Sequence, residues 1–103
     1  MIKEETAKKL ALMLKPIRFN ILEILAQTSS PLSIDSLADK IGENRAVTSF
    51  HISLLEEAGL VKSKFKIIEK PAKKKRGRVG RIYSITGDGL LLFQKLKDFL
   101  NEL

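Results

Sequence analysis

The sequence predicts a mainly α chain closed by a β-hairpin, an α+β domain built round one hydrophobic core. Three observations predict it. Apolar residues recur at steps of three and four in four successive stretches up to Gly59, the period changes to two between Val61 and Thr86, and helical spacing returns from Gly89 to Leu103. With 103 residues and 44% apolar content, the chain has length for one such core and no second one.

The first stretch, Ile2 to Leu14, carries Ile2, Thr6, Leu10, Met13 and Leu14 at helical spacing with Glu5, Lys8 and Lys9 between them, which predicts an amphipathic helix. Pro16 ends it, because the residue before a proline is pushed out of helical geometry, and the same proline suits the first turn of a new helix. That helix runs from Pro16 to Ala26, and its stripe of Ile17, Ile21, Leu22, Ile24 and Leu25 is broad enough to be central. Gln27 to Leu32 is polar, holds Pro31 and reads as a loop. Ser33 then offers an N-cap to a short helix with Ile34, Leu37, Ala38 and Ile41 on one face, stopped at Gly42. Asn44 offers a second N-cap, to a longer helix with Val47, Thr48, Ile52, Leu55 and Ala58 at helical spacing, stopped at Gly59. The two meet across Gly42 to Asn44, which is the spacing of a helix-turn-helix.

After Gly59, Val61, Ser63, Phe65 and Ile67 fall on one face of an extended segment, expected to pack, and Lys62, Lys64 and Lys66 fall on the other, expected to be solvated. Val79 to Thr86 is the partner strand with Tyr83 and Ile85 as its inward pair, and Lys70 to Arg78 make a long basic tip between the two. Gly87 and Gly89 bracket the return to helix, where Leu92, Phe93, Leu96, Phe99, Leu100 and Leu103 form a last apolar stripe.

Charge is concentrated in the hairpin. Residues 62–81 hold ten Lys/Arg and one acid, Glu69, whereas the remaining nine bases and eleven acids nearly cancel, so the net charge of +7 resides in this segment. Such a block on a near-neutral domain points to a polyanionic partner, nucleic acid being the commonest, and a solvated, disordered loop is the plainer alternative. There is no cysteine and His51 is the only histidine, which leaves no Cys/His zinc site, no thiol nucleophile and no set of groups for acid–base catalysis; no enzyme activity, cofactor or metal is expected. The longest apolar run, Leu10 to Leu14, is too short for a signal core or a membrane span, so the expected location is the cytoplasm, associated with the nucleoid.

Four segments carry a resemblance: Pro16-Ile-Arg-Phe-Asn-Ile-Leu-Glu-Ile-Leu25, Ser33-Ile-Asp-Ser-Leu-Ala-Asp-Lys-Ile41, Val47-Thr-Ser-Phe-His-Ile-Ser-Leu-Leu-Glu-Glu-Ala-Gly-Leu-Val61 and Arg78-Val-Gly-Arg-Ile-Tyr-Ser-Ile-Thr-Gly-Asp-Gly89. In this order they resemble the winged helix-turn-helix domain of small prokaryotic transcription regulators of the MarR-like and ArsR-like kind, over about residues 11–93. The third is the most specific, because an acidic pair followed by Ala-Gly-Leu-Val looks like the end of that superfamily's recognition helix and the start of its wing. The resemblance implies a winged helix-turn-helix with flanking N- and C-terminal helices, a single DNA-binding domain over residues 1–103 with its wing at 60–86, and a transcription regulator that binds double-stranded DNA. Two features depart from the pattern. Metal-sensing ArsR-like members rely on Cys, His and acidic clusters that this chain lacks, and its wing is longer and far more basic than the minimal version.

The helix beginning at Arg45 would enter the major groove with its first turns, which nominates Asn44, Arg45, Ala46, Ser49 and Ser53, with Thr48 at the margin of that face. Arg45 can meet guanine O6 and N7 or a phosphate, and Thr48 and Ser49 can meet either. His51 is expected to pack against the preceding helices or bond a phosphate, and Phe50 to be exposed or covered by the wing or a partner chain. Lys73, Lys74, Lys75, Arg76, Arg78 and Arg81 are the wing candidates for phosphate or minor-groove contact, although Lys-Lys-Lys-Arg alone also fits a nuclear import signal. Arg18 is expected to pair with Glu56 or Glu57. Leu10, Met13, Leu14, Phe93, Leu96, Phe99, Leu100 and Leu103 exceed what one small core takes, so residues 1–14 and 89–103 are expected to pair with a second copy as a homodimer. A non-sequence-specific architectural DNA binder and an RNA- or protein-binding winged module remain as rival readings.

Overall fold

A computed structural model describes residues 2–68 and 78–103. The order of elements is α1 (Glu4–Met13), α2 (Pro16–Gln27), β1 (Leu32–Ser33), α3 (Ile34–Ile41), α4 (Arg45–Glu57), β2 (Val61–Ile68), β3 (Arg78–Ile85) and α5 (Gly87–Asn101). Helix α2 is central: its Ile21, Leu22 and Leu25 join Leu37 of α3, Ile52 and Leu55 of α4, Leu60 and Val61 at the start of the hairpin, and Phe93 and Leu96 of α5. Each such side chain contributes about 1.5–3 kcal/mol by leaving water, which is why α1 and α5 are held although neither has a strong intrinsic reason to form alone.

Local chemistry sets the turn between α3 and α4. The Ser33 hydroxyl accepts from the Ser36 amide at 3.2 Å and the Asn44 Oδ1 from the Val47 amide at 2.8 Å, so both helices start on a satisfied donor. Both also end alike. Gly42 and Gly59 take φ of +73° and +78°. The amides of Glu43 and Leu60 then bond back to the carbonyls of Ala38 and Leu55, each at 3.0 Å, a Schellman closure that a side chain at either glycine would strain. Thr86, read from sequence as the last strand residue, is instead the cap of α5: its hydroxyl accepts from the Gly89 amide at 2.9 Å and donates to the Gly59 carbonyl at 2.8 Å.

The strands form one antiparallel sheet in the order β1-β3-β2. Strand β1 spans the end of the stretch expected to be a loop and the expected cap residue Ser33; its two residues, paired as Leu32 with Tyr83 and Ser33 with Ile82, are too few to show alternation. The hairpin register sets Val61 opposite Ile85, Ser63 opposite Tyr83, Phe65 opposite Arg81 and Ile67 opposite Val79. Only the inner part of the face expected to pack does so. Val61 and Tyr83 are buried and Ile85 packs against the core, whereas Phe65, Ile67 and Val79 are 66%, 62% and 66% exposed, because no helix among the described residues reaches over the outer hairpin.

The apolar stripes of α1 and α5 require a second correction. Met13, Phe93 and Leu96, expected at an interface between copies, are 0%, 1% and 8% exposed and belong to the protomer's own core, Phe93 meeting the Phe19 ring at a centroid distance of 4.9 Å. Leu10 and Leu100 are half-buried against that core, and Leu14, Phe99 and Leu103 stand exposed, together with Leu91. No helix of the described residues is long and apolar enough to cross a membrane.

Candidate nucleic-acid interface

Helix α4 has two unlike sides. Thr48, His51, Ile52 and Leu55 point inward and are buried, and Arg45, Ala46, Phe50 and Ser53 point outward. Burial removes Thr48 from the groove-facing set: it is 0% exposed and its hydroxyl donates to the Asn44 carbonyl at 2.8 Å, so it cannot reach a base or a phosphate. Asn44 is exposed, but its side-chain oxygen is engaged as the cap of α4. Ser49 is half-buried, and its carbonyl accepts the Ser53 hydroxyl at 2.8 Å. Arg45 lies 3.6 Å from Asp35 of α3. Both partners are more than half exposed, so the pair is worth at most about 1 kcal/mol and releases the guanidinium readily to a stronger anion.

His51 is buried on the inner side of this helix. Its Nδ1 lies 3.0 Å from an Arg18 terminal nitrogen, and the Arg18 Nε donates to the Leu12 carbonyl at 2.6 Å, so one guanidinium ties the end of α1 to the middle of α4. Arginine has donors only, which makes Nδ1 the acceptor and places the proton of the neutral ring on Nε2. Burial lowers the His51 pKa below its ordinary 6.5, the neighbouring Arg18 and Lys15 charges lower it further, and Glu43 opposes them. The expected pairing of Arg18 with Glu56 or Glu57 is therefore not formed as such. Glu56 instead lies 3.6 Å from Arg81 and accepts the Ser63 hydroxyl at 2.5 Å, which fastens the hairpin to the last turn of α4.

In the wing, Arg81 sits with its guanidinium 4.9 Å from the Phe65 ring centroid, so this base is braced between Glu56 and an aromatic face. Lys62, Lys64 and Lys66 are exposed along the other face of β2, as the alternation predicts. Arg78 opens β3, and Lys73, Lys74, Lys75 and Arg76 lie outside the described residues. Two features of this surface were not assigned a contact from sequence. The lysine row of β2 was read only as a solvated face, its alternation being the available signal, and Phe50 is 62% exposed.

A helix-turn-helix with one exposed face, braced at its end by a basic hairpin, defines the class of protein: a winged helix-turn-helix. The chain belongs to a helix-turn-helix domain family, which it matches over residues 13–64. No curated protein matches it. Among solved structures it is similar to the homodimeric winged helix-turn-helix DNA-binding domain of a possible ArsR-family transcriptional regulator from Mycobacterium bovis, at 22% identity and a TM-score of 0.72, covering 96% of this chain and 81% of that one. It is also similar to a predicted DNA-binding transcriptional regulator from E. coli, at 26% identity and a TM-score of 0.66 over 93% and 90% of the two chains. A transcriptional regulator homologue from Pyrococcus horikoshii OT3 superposes with a TM-score of 0.75 at 20% identity over 97% and 93%.

Proposed function

We propose that the chain is a DNA-binding transcription regulator that acts as a homodimer, setting two α4 helices into successive major grooves with the basic wings on the flanking backbone or minor groove. The observation that carries this reading is the outward side of α4: Arg45, Ala46 and Ser53 are exposed on a helix whose opposite side is locked into the core, and the Glu56 contacts hold the wing beside it. Small side chains let a helix backbone approach base edges closely, an N-terminal arginine suits guanine, and a wing rich in lysine neutralises phosphates. Residues 1–103 would act as one domain, with α1 and α5 pairing the copies through what remains exposed or half-exposed of their stripes: Leu10, Leu14, Phe99, Leu100 and Leu103. The M. bovis neighbour, described as homodimeric and DNA-binding, supports both parts.

The exposed row Lys62, Lys64 and Lys66 favours a second reading, an architectural binder that holds any duplex by its phosphates. Selection from random duplexes separates the two: enrichment of an inverted repeat supports the regulator, and a flat outcome supports the architectural binder and overturns the regulator.

A further inference from the structure

Phe50 is a large aromatic side chain, 62% exposed, in the middle of a helix where its outward neighbours on the same face, Ala46 and Ser53, are small. It lies four residues from Ala46 and three from Ser53, which puts the three on one face of α4, opposite Ile52 and Leu55 in the core. It is also held in place. The buried His51 ring meets it edge-on, with centroids 5.1 Å apart and planes at 74°, and His51 is itself fixed by Arg18. Among the described residues of the hairpin, Phe65, Ile67 and Val79 are exposed as well. A supported aromatic ring therefore stands above a low surface of Ala46, Ser49 and Ser53, on the face proposed to lie in the major groove.

We propose that Phe50 is a specificity-determining residue that reads the 5-methyl group of a thymine; the inference rests on the DNA-binding reading above. Chemistry selects this occupant. A phenyl ring has no donor or acceptor for the polar edges of the bases, and thymine is the base that presents a methyl group to the major groove, where apolar side chains meet it. Phosphates, by contrast, have nothing to gain from it. The preferred site then carries a thymine in each half, displaced along the groove from the base pair facing Arg45 toward the one facing Ser53.

The test replaces each thymine of the selected duplex in turn by uracil, which removes the methyl group and leaves the hydrogen-bonding edge unchanged, with affinity read by fluorescence anisotropy on wild-type protein, Phe50→Ala and Phe50→Leu. At the thymine that Phe50 meets, the wild type is expected to lose about four-fold, the factor equivalent to one buried carbon. Phe50→Ala should bind the thymine duplex several-fold more weakly and be indifferent to uracil there, while Phe50→Leu, which keeps an apolar tip, should retain part of the sensitivity. Equal affinity of the wild type for every uracil duplex would overturn the inference, as would undiminished sensitivity in Phe50→Ala. Light scattering that shows Phe50→Ala falling from dimer to monomer would also overturn it, because the ring would then be covered by a second copy. A wild type that binds no duplex at all would bring down the DNA-binding reading itself, and this inference with it.

Discussion

Within the helix-turn-helix, apolar residues at helical spacing lie inside: Leu37, Ile52 and Leu55 are fully buried. Along the outer hairpin, apolar residues at a spacing of two lie outside, with Phe65, Ile67 and Val79 about two-thirds exposed. Both patterns are regular, and both define a face. What differs is a third element: α2 packs against both helices of the helix-turn-helix, and nothing among the described residues lies across the outer wing. Periodicity thus tells which side chains share a face, and the path of the rest of the chain decides whether that face becomes core or surface.

The largest test of this contrast is stability. Leu55→Ala, in the buried helix-turn-helix, should cost about 2–5 kcal/mol in denaturant unfolding, and Phe65→Ala, in the open wing, should change stability by no more than about 0.5 kcal/mol. Equal losses would mean that the outer wing is covered after all. Next comes binding, where sequence reading is proposed for the helix and charge reading for the wing. Arg45→Ala should cost about 1–3 kcal/mol on the selected site and much less on random duplex. Joint replacement of Lys62, Lys64 and Lys66 by Gln should weaken all duplexes alike and lower the slope of log K against log salt by about 0.9 for each phosphate that these lysines neutralise; an unchanged slope would take this row out of the interface. A smaller effect is expected from Asn44→Ala, about 1 kcal/mol of stability, since it removes the acceptor that caps α4 while touching no core residue.

The smallest expected effect is on pH dependence. Because the His51 pKa is lower in the folded chain than its ordinary 6.5, the unfolded chain holds this proton more tightly, and stability rises with pH over this range. The full contribution of neutral His51 is present above pH 6.5 and is lost as the pH falls from there toward the folded value. His51→Gln keeps a hydrogen-bonding side chain and cannot titrate. Unfolding midpoints taken above and below pH 6.5 should therefore separate further in the wild type than in this variant, and an identical separation would remove His51 from the pH response.

Much of the fold was legible because it rests on local chemistry. Ser33, Asn44, Gly42 and Gly59 announce where α3 and α4 begin and end, since caps and left-handed closures act over three to five residues. Coverage was not legible. Met13, Phe93 and Leu96 have the same spacing whether they face a second copy or their own core, and only the packing of α1 and α5 against the rest of the chain decides it. Thr48 was read both on the inner stripe and at the margin of the outer face; its spacing of four and seven from Ile52 and Leu55 favours the inner side, where it is buried. The partner of Arg18 was missed for another reason: charge favours a glutamate, but the nearer acceptors prove to be a carbonyl and a neutral imidazole ring.

The most direct test of DNA reading by α4 is a pair of anisotropy titrations at about 150 mM salt, one on the duplex enriched by selection and one on a scrambled duplex of the same length and composition. A protein that reads bases should prefer the enriched duplex by at least about 10³. A preference within ten-fold would contradict sequence reading and leave a chain that holds DNA by charge alone.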